Sequence, residues 1–385
     1  MGGRGRMSSV GTVTPRAGVY RALVLATLAF ALCFAVWGLV SPLATRFQEL
    51  YELSSTQISV VIATPVILGS LFRIPIGLLT DRFGGRAVFS ALMLVLTVPV
   101  LFIGILGGSF GGLLFWGFFL GLAGSSFAVG VPFVNKWFPP HMQGLVLGIY
   151  GMGNIGSAIA AYAAPAIAAF YGWRGAFWVF ILPLVGMAVI FWLLGRDAPQ
   201  AGPRPSVTAG ISLFRREVMP WVLSLFYFLT FGGFVALGIY LPKLLVDLFG
   251  FTPTGAGLRA AGFVVLATLA RPVGGWLADR IGGSRTLAVV FAIIPVTALV
   301  MSLQPGLGPF RLAVLTTAVL LGIAWSWPAS RRSGRRRIPS YAPGGPRCAR
   351  SSRSFPAGSR PRESRPPRSG WTPCWPRTPK SPQSR

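Results

Sequence analysis

Apolar stretches of membrane length leave this chain one kind of fold. Ten are read, at residues 21–45, 54–80, 87–106, 110–137, 144–170, 176–194, 218–249, 255–278, 286–303 and 309–326. A bilayer core about 30 Å thick needs roughly 20 apolar residues per helix. Inside lipid every backbone N–H and C=O must be satisfied within the protein, so separate apolar stretches of this length have to be helices. The predicted fold is an all-α membrane protein. Composition agrees: 53% of residues are hydrophobic and 11% charged, against about 25% charged in soluble domains. The net charge of +27 does not argue for nucleic acid, because more than half of the excess falls in residues 327–385. Cys33, Cys348 and Cys374 offer no disulfide framework. One histidine, His141, reads as a loop residue and is too little for a metal site. No nucleophile, base and metal constellation is visible, so an enzyme is not expected, and no cofactor is.

The second constraint is a repeat. Leu71 to Arg86 places Arg73 inside an apolar run and ends that run on Asp81-Arg82-Phe83-Gly84-Gly85-Arg86. The pattern returns 198 residues later. Arg73 falls on Arg271, Gly77 on Gly275, Asp81 on Asp279, Arg82 on Arg280, and Gly84-Gly85 on Gly282-Gly283. A period this long marks two halves of one protein. The polar, Arg- and Pro-rich stretch 196–217 reads as the cytoplasmic linker between them. Arg4, Arg6, Arg16 and Arg21, with no acid among them, put the N-terminus in the cytoplasm of a bacterial-type plasma membrane. The expected parts are an N-terminal segment 1–20, a six-helix bundle 21–195, the linker, an incomplete bundle 218–326, and a tail 327–385.

Arg73 precedes Asp81 by eight residues, about 12 Å of helix, which takes its side chain towards the bilayer midplane. An arginine there costs about 2.5–3.5 kcal/mol on insertion scales. The eight acids (Glu49, Glu52, Asp81, Asp197, Glu217, Asp247, Asp279, Glu363) lie in loops, in the tail or near helix ends. Two cations at depth therefore suit an anion supplied from outside. The planar fork of a guanidinium matches a small planar oxyanion. A structural ion pair is the competing reading. The Asp-Arg-x-Gly-Gly turns, with Gly77, Asp81, Arg82, Gly84, Arg86, Gly275, Asp279 and Arg280, read as gating devices that pair charges where two helices meet.

Gly77-x-x-x-Asp81-Arg82-x-Gly84-Gly85-Arg86, repeated after span 8, resembles the loop motif of the major facilitator superfamily. Gly121-Leu-Ala-Gly-Ser-Ser-Phe127, followed by Gly144-Leu-Val-Leu-Gly148-Ile-Tyr-Gly151-Met-Gly153-Asn154-Ile-Gly156, resembles the nitrate signature of the nitrate/nitrite porters within it. The likeness spans residues 20–326. It implies two pseudo-symmetric helical bundles and a substrate held by Arg73 and Arg271. It further implies roles for Asn154, for Tyr227 and Phe231 on the seventh helix, and for Phe127 and Phe34 as aromatics above and below the anion. Read from the residues alone, the signature glycines are close helix packing, and Tyr227 is equally a core hydroxyl.

Beyond residue 326 the chain turns abruptly to Arg, Pro, Ser and Gly. Two of twelve expected helices are absent, so that half of the cavity wall is missing and the product as written is not expected to transport. A natural disordered tail and a polybasic lipid-binding tail compete with a slipped reading frame, which is preferred because the break falls in mid-helix. The expected function is transport of nitrate and nitrite by alternating access, as a monomer in the lipid bilayer. Exchange is favoured over proton symport because no membrane carboxylate is available for a relay. Two rivals stay open: a carrier of another small anion such as formate or oxalate, and a non-transporting membrane protein with a lipid-binding tail.

Overall fold

The computed structural model describes residues 17–199, 217–303 and 306–324, all within one unit, Met1–Arg332. Most of the linker and the whole tail, with Arg4, Arg6, Arg16, Cys348, Cys374 and Glu363, lie outside the described residues, as do the last two residues of the tenth span.

Every described element is helical. Eight helical stretches are long and apolar enough to cross a membrane, and Ile181–Leu194 and Phe310–Ala324 are shorter apolar helices. These correspond to the ten expected spans, numbered here in chain order. Several are broken. Span 1 is Ala17–Trp37, a tight turn at Ser41–Leu43, then Ala44–Leu50. Span 2 divides at Phe72 into Ser55–Leu71 and Arg73–Phe83. Proline lacks the N–H that would bond four residues back, so Pro75 leaves the carbonyl of Leu71 without its helical donor and the helix resets at Phe72. Span 4 tightens into a 3-10 stretch, Gly121–Ser125. There the hydroxyls of Ser125 and Ser126 each donate 2.6 Å bonds to carbonyls three residues back. Span 5 runs Gln143–Gly151, a short 3-10 turn at Met152–Asn154, and on from Ile155. Gly172 (φ 70°) then separates it from span 6.

Helix starts follow local chemistry. The Ser54 hydroxyl accepts from the amide of Gln57 at 3.2 Å, and the Gln57 side chain accepts from the amide of Ser54 at 2.9 Å. This reciprocal box makes Ser54 the cap of span 2 among the three candidates. Thr252 caps span 8 through the amide of Gly255.

The loop motifs need one correction. Asp81, Arg82 and Phe83 are not a turn; they form the last turn of their helix, and the reversal is made at Gly84, with φ 90°. The second half does the same, with Asp279 to Ile281 helical and Gly282 at φ 95°. Left-handed backbone at both sites requires glycine.

The repeat reaches into the packing. Gly69 of span 2 meets the backbone of Gly121 and Gly124 of span 4. The equivalents 198 residues on, Ala267 and Gly322, are likewise in backbone contact between spans 8 and 10. The first half is knitted by one large buried cluster from Ala22 to Phe191, and the described second half by two smaller ones.

Candidate functional site

Where the halves meet, spans 5 and 8 pack through glycine. A side chain placed on Gly144 would overlap Gly275 and the Asp279 carboxylate, and one on Gly148 would overlap the backbone of Arg271 and Pro272. One on Gly151 would strike the Arg271 guanidinium itself. Gly153 and Gly156 turn the other way, against Phe30, Ala31 and Ala35 of span 1. The signature glycines thus serve close approach of neighbouring helices, and one of them makes room for an arginine.

Arg271 is 1% exposed. Its guanidinium carbon lies 5.9 Å from the centre of the Phe127 ring. Arg73, half-buried, stands below the break in span 2. Its Nη1 donates to the Tyr227 hydroxyl at 3.1 Å, and its guanidinium carbon lies 4.8 Å from the Phe231 ring centre and 5.5 Å from that of Tyr227. Tyr227 and Phe231 stack at 5.3 Å and 19°. They were expected one turn apart on a regular helix, but a π-turn, Phe228–Gly232, sits between spans 7a (Met219–Tyr227) and 7b (Gly233–Phe249). Single π-turns recur at functional positions.

These rings belong to a longer stack that crosses from one half to the other. Phe30 lies on Tyr150 (4.9 Å, 23°), Tyr150 on Phe127 (5.8 Å, 29°), and Phe127 on Tyr227 (6.2 Å, 29°), which continues to Phe231. Both arginines rest against this stack, Arg271 at Phe127 and Arg73 at Tyr227 and Phe231.

Asn154 is fully buried in the 3-10 turn of span 5, which packs on spans 1 and 8. Neither its amide oxygen nor its amide nitrogen has a hydrogen-bond partner among the described residues. A buried amide normally has a partner, which sets Asn154 apart from most buried side chains.

Phe34 reaches the group through Phe30. It packs edge-on against Phe30 at 4.5 Å and on Trp37 at 5.3 Å, and it is Phe30, one helical turn earlier, that touches Phe127 at 5.6 Å. Phe30 and Tyr150 were not singled out from the sequence. Tyr150 lay inside the signature between two glycines, and its size among small residues was the available signal.

The loop motifs lie apart from the arginines. Among the described residues Asp279 has no charged partner. Its carboxylate accepts from the amides of Gly144 (3.0 Å) and Leu145 (2.9 Å), at the start of span 5. A carboxylate at a helix N-terminus meets both free N–H groups and the positive end of the dipole. Asp81 instead forms a 3.6 Å ion pair with Lys136 at the end of span 4. Arg82 and Arg280 lie over Phe83 and Trp276. Arg86 donates to the carbonyl of Trp192 at 2.7 Å, and its amide and that of Gly85 donate to Asp197. A cleft of about 210 Å³ opens here, lined by Thr80, Lys136 and Asp197 among others. It belongs to the loop motif and not to the arginine site. Gly77 has open space around it, unlike its counterpart Gly275. His141 is exposed in the short turn Pro140–Met142.

Repeated helical halves that meet at two arginines on an aromatic stack define a multi-pass membrane carrier of the two-bundle class. The chain belongs to the Major Facilitator Superfamily, whose family model matches residues 25–342. It is 43% identical over 301 residues to the "Nitrite extrusion protein" of Bacillus subtilis (strain 168), covering 78% of this chain and 76% of that one. It is 39% identical over 317 residues to the "Probable nitrate/nitrite transporter NarK2" of Mycobacterium tuberculosis (strain ATCC 25618 / H37Rv), covering 80% of each. The fold is also that of the proton:xylose symporter XylE, with a TM-score of 0.62 at 14% identity over 81% of each chain.

Proposed function

We propose that this protein carries nitrate and nitrite across a bacterial plasma membrane by alternating access, with its N-terminus in the cytoplasm. The observation that carries the reading is the placement of Arg73 and Arg271 against one aromatic stack, in a chain about two-fifths identical to relatives named for nitrate and nitrite. A planar oxyanion can lie on an aromatic face and accept two parallel N–H bonds from a guanidinium edge. The amide of Asn154, Arg73 and Arg271 are the groups assigned to hold it, with Tyr227 and Phe231 fixing Arg73 and Phe127 backing Arg271.

Exchange of nitrate for nitrite is the proposed mode. The eight acids lie in loops, in the tail or near helix ends, which leaves no membrane carboxylate for a proton relay and favours exchange over symport. Proteoliposomes loaded with nitrite and given external nitrate test this. Uptake that requires internal nitrite supports exchange. Uptake driven by a pH gradient without nitrite replaces it with symport, and inhibition by formate or oxalate but not nitrite replaces the substrate.

The same reading assigns residues 327–385 to a shifted frame and the missing helices to another frame of the same gene. Translating the codons for 322–337 in all three frames tests it. A frame that continues in apolar helices supports the assignment, and uptake is then measured on the restored chain beside the chain as written. If no frame does so, residues 327–385 are the protein's own tail.

A further inference from the structure

Tyr150 belongs to no part of the site assigned above, yet it is the largest uncharged side chain fully buried beside it, 0% exposed. It is fixed at both ends. Its hydroxyl donates to the backbone carbonyl of Ser126 at 3.1 Å, at the junction where the 3-10 stretch of span 4 becomes helix again. The same hydroxyl lies so close to the Cα of Gly130 that a side chain there would overlap it. Its ring packs against both Phe30 and Phe127, which also touch each other, so the three rings form one triangular cluster. The next residue along the chain is Gly151, against the Arg271 guanidinium. One dipeptide therefore sets both the ring that backs Arg271 and the space that Arg271 occupies.

We infer that Tyr150 is a positioning residue that determines selectivity for flat anions, by holding the face of Phe127 at a fixed depth beside Arg271. The inference rests on the anion-carrier reading above. Its logic is geometric. A planar anion bound edge-on to a guanidinium keeps all its oxygens in one plane and can lie parallel to a ring. A tetrahedral anion of the same charge directs an oxygen into that ring, and it fits only if the ring recedes. The Phe127 ring packs against Tyr150 at 5.8 Å and Tyr227 at 6.2 Å, and Tyr150 is the member pinned to the backbone. Such stacked pairs contribute about 0.5–1.5 kcal/mol each, enough for roughly a threefold to tenfold change in relative binding.

The test uses the purified full-length chain in lipid nanodiscs, loaded with isotopically labelled nitrate. Displacement is measured with nitrite, which is planar, and with perchlorate, which is tetrahedral. In Tyr150→Leu the concentration of perchlorate needed, relative to nitrite, is expected to fall about tenfold. In Tyr150→Phe, which keeps the ring and loses the bond to Ser126, it falls about threefold, with nitrate still held. A general loosening of the fold would weaken nitrite and perchlorate alike and leave the ratio unmoved. Wild-type protein that binds no nitrate, both as written and with its frame restored, overturns the carrier reading and this inference together. Wild type that binds nitrate, beside a Tyr150→Leu ratio equal to its own, overturns the inference alone. If Tyr150→Leu is not recovered folded, the Tyr150→Phe ratio decides, and a wild-type value there overturns the inference.

Discussion

The guanidinium of Arg271 lies against the α-carbon of Gly151, in the space a β-carbon would occupy. Arginine and glycine come from different halves, so this is a contact across the interface as well as within the site. Gly151→Ala is expected to displace the guanidinium from Phe127 and to abolish nitrate binding. The overpacking costs about 1–3 kcal/mol of stability. Gly117→Ala, where no atom lies within 4 Å, is the matched control and should match wild type in both thermal midpoint and nitrate binding.

Tyr227 is the neighbour on which Arg73 rests. Tyr227→Phe keeps the ring and removes the acceptor for Nη1. A hydrogen bond to a charged group contributes about 1.5–3 kcal/mol, so nitrate affinity should fall about 10- to 100-fold, read by calorimetric titration. Unchanged affinity would mean that Arg73 is held by the π-turn of span 7 through ring contacts alone.

Arg73→Lys and Arg271→Lys preserve charge and remove the planar fork. Each is expected to lower nitrate binding at least about tenfold, since a point charge does not reproduce two parallel bonds. The loss should be greater at Arg271, which is 1% exposed and has no room to reorganise, than at half-buried Arg73. Equal, mild losses at both positions would argue that charge alone attracts the anion.

Asp279 and Asp197 each hold a helix N-terminus. Asp279→Ala should raise hydrogen–deuterium exchange at Gly144 and Leu145, and Asp197→Ala should do so at Gly85 and Arg86. The stability cost expected for each is about 0.5–2 kcal/mol. Each substitution should leave the other site's exchange unchanged, because the two helices are separate.

The ten spans, the duplication and the place of Arg73 and Arg271 inside apolar runs were all legible in the residues. Hydropathy reports membrane length, and a charge inside an apolar run is conspicuous. The breaks were not. Pro75 does not by itself announce the reset at Phe72, because Pro65 and Pro99 lie inside unbroken helices, and a π-turn after Tyr227 keeps the same apolar composition. Which ring of span 1 meets Phe127 depends on the rotation of the helix, and it is Phe30 that does so. The bond from the Tyr150 hydroxyl to the Ser126 carbonyl has no mark in the sequence. Asp279 was expected to find a charge, but its partner is main chain, which carries no mark in a sequence.

That last contact has a consequence for how the protein can vary. Asp279 reads two amides that every residue except proline possesses, so the latch is indifferent to which side chain stands at Leu145. Selection then falls on the acid and on Gly144, where a side chain would overlap the carboxylate, while position 145 can drift among all residues that keep an N–H. Leu145→Pro is the one exchange there that would unfasten the latch from the far side.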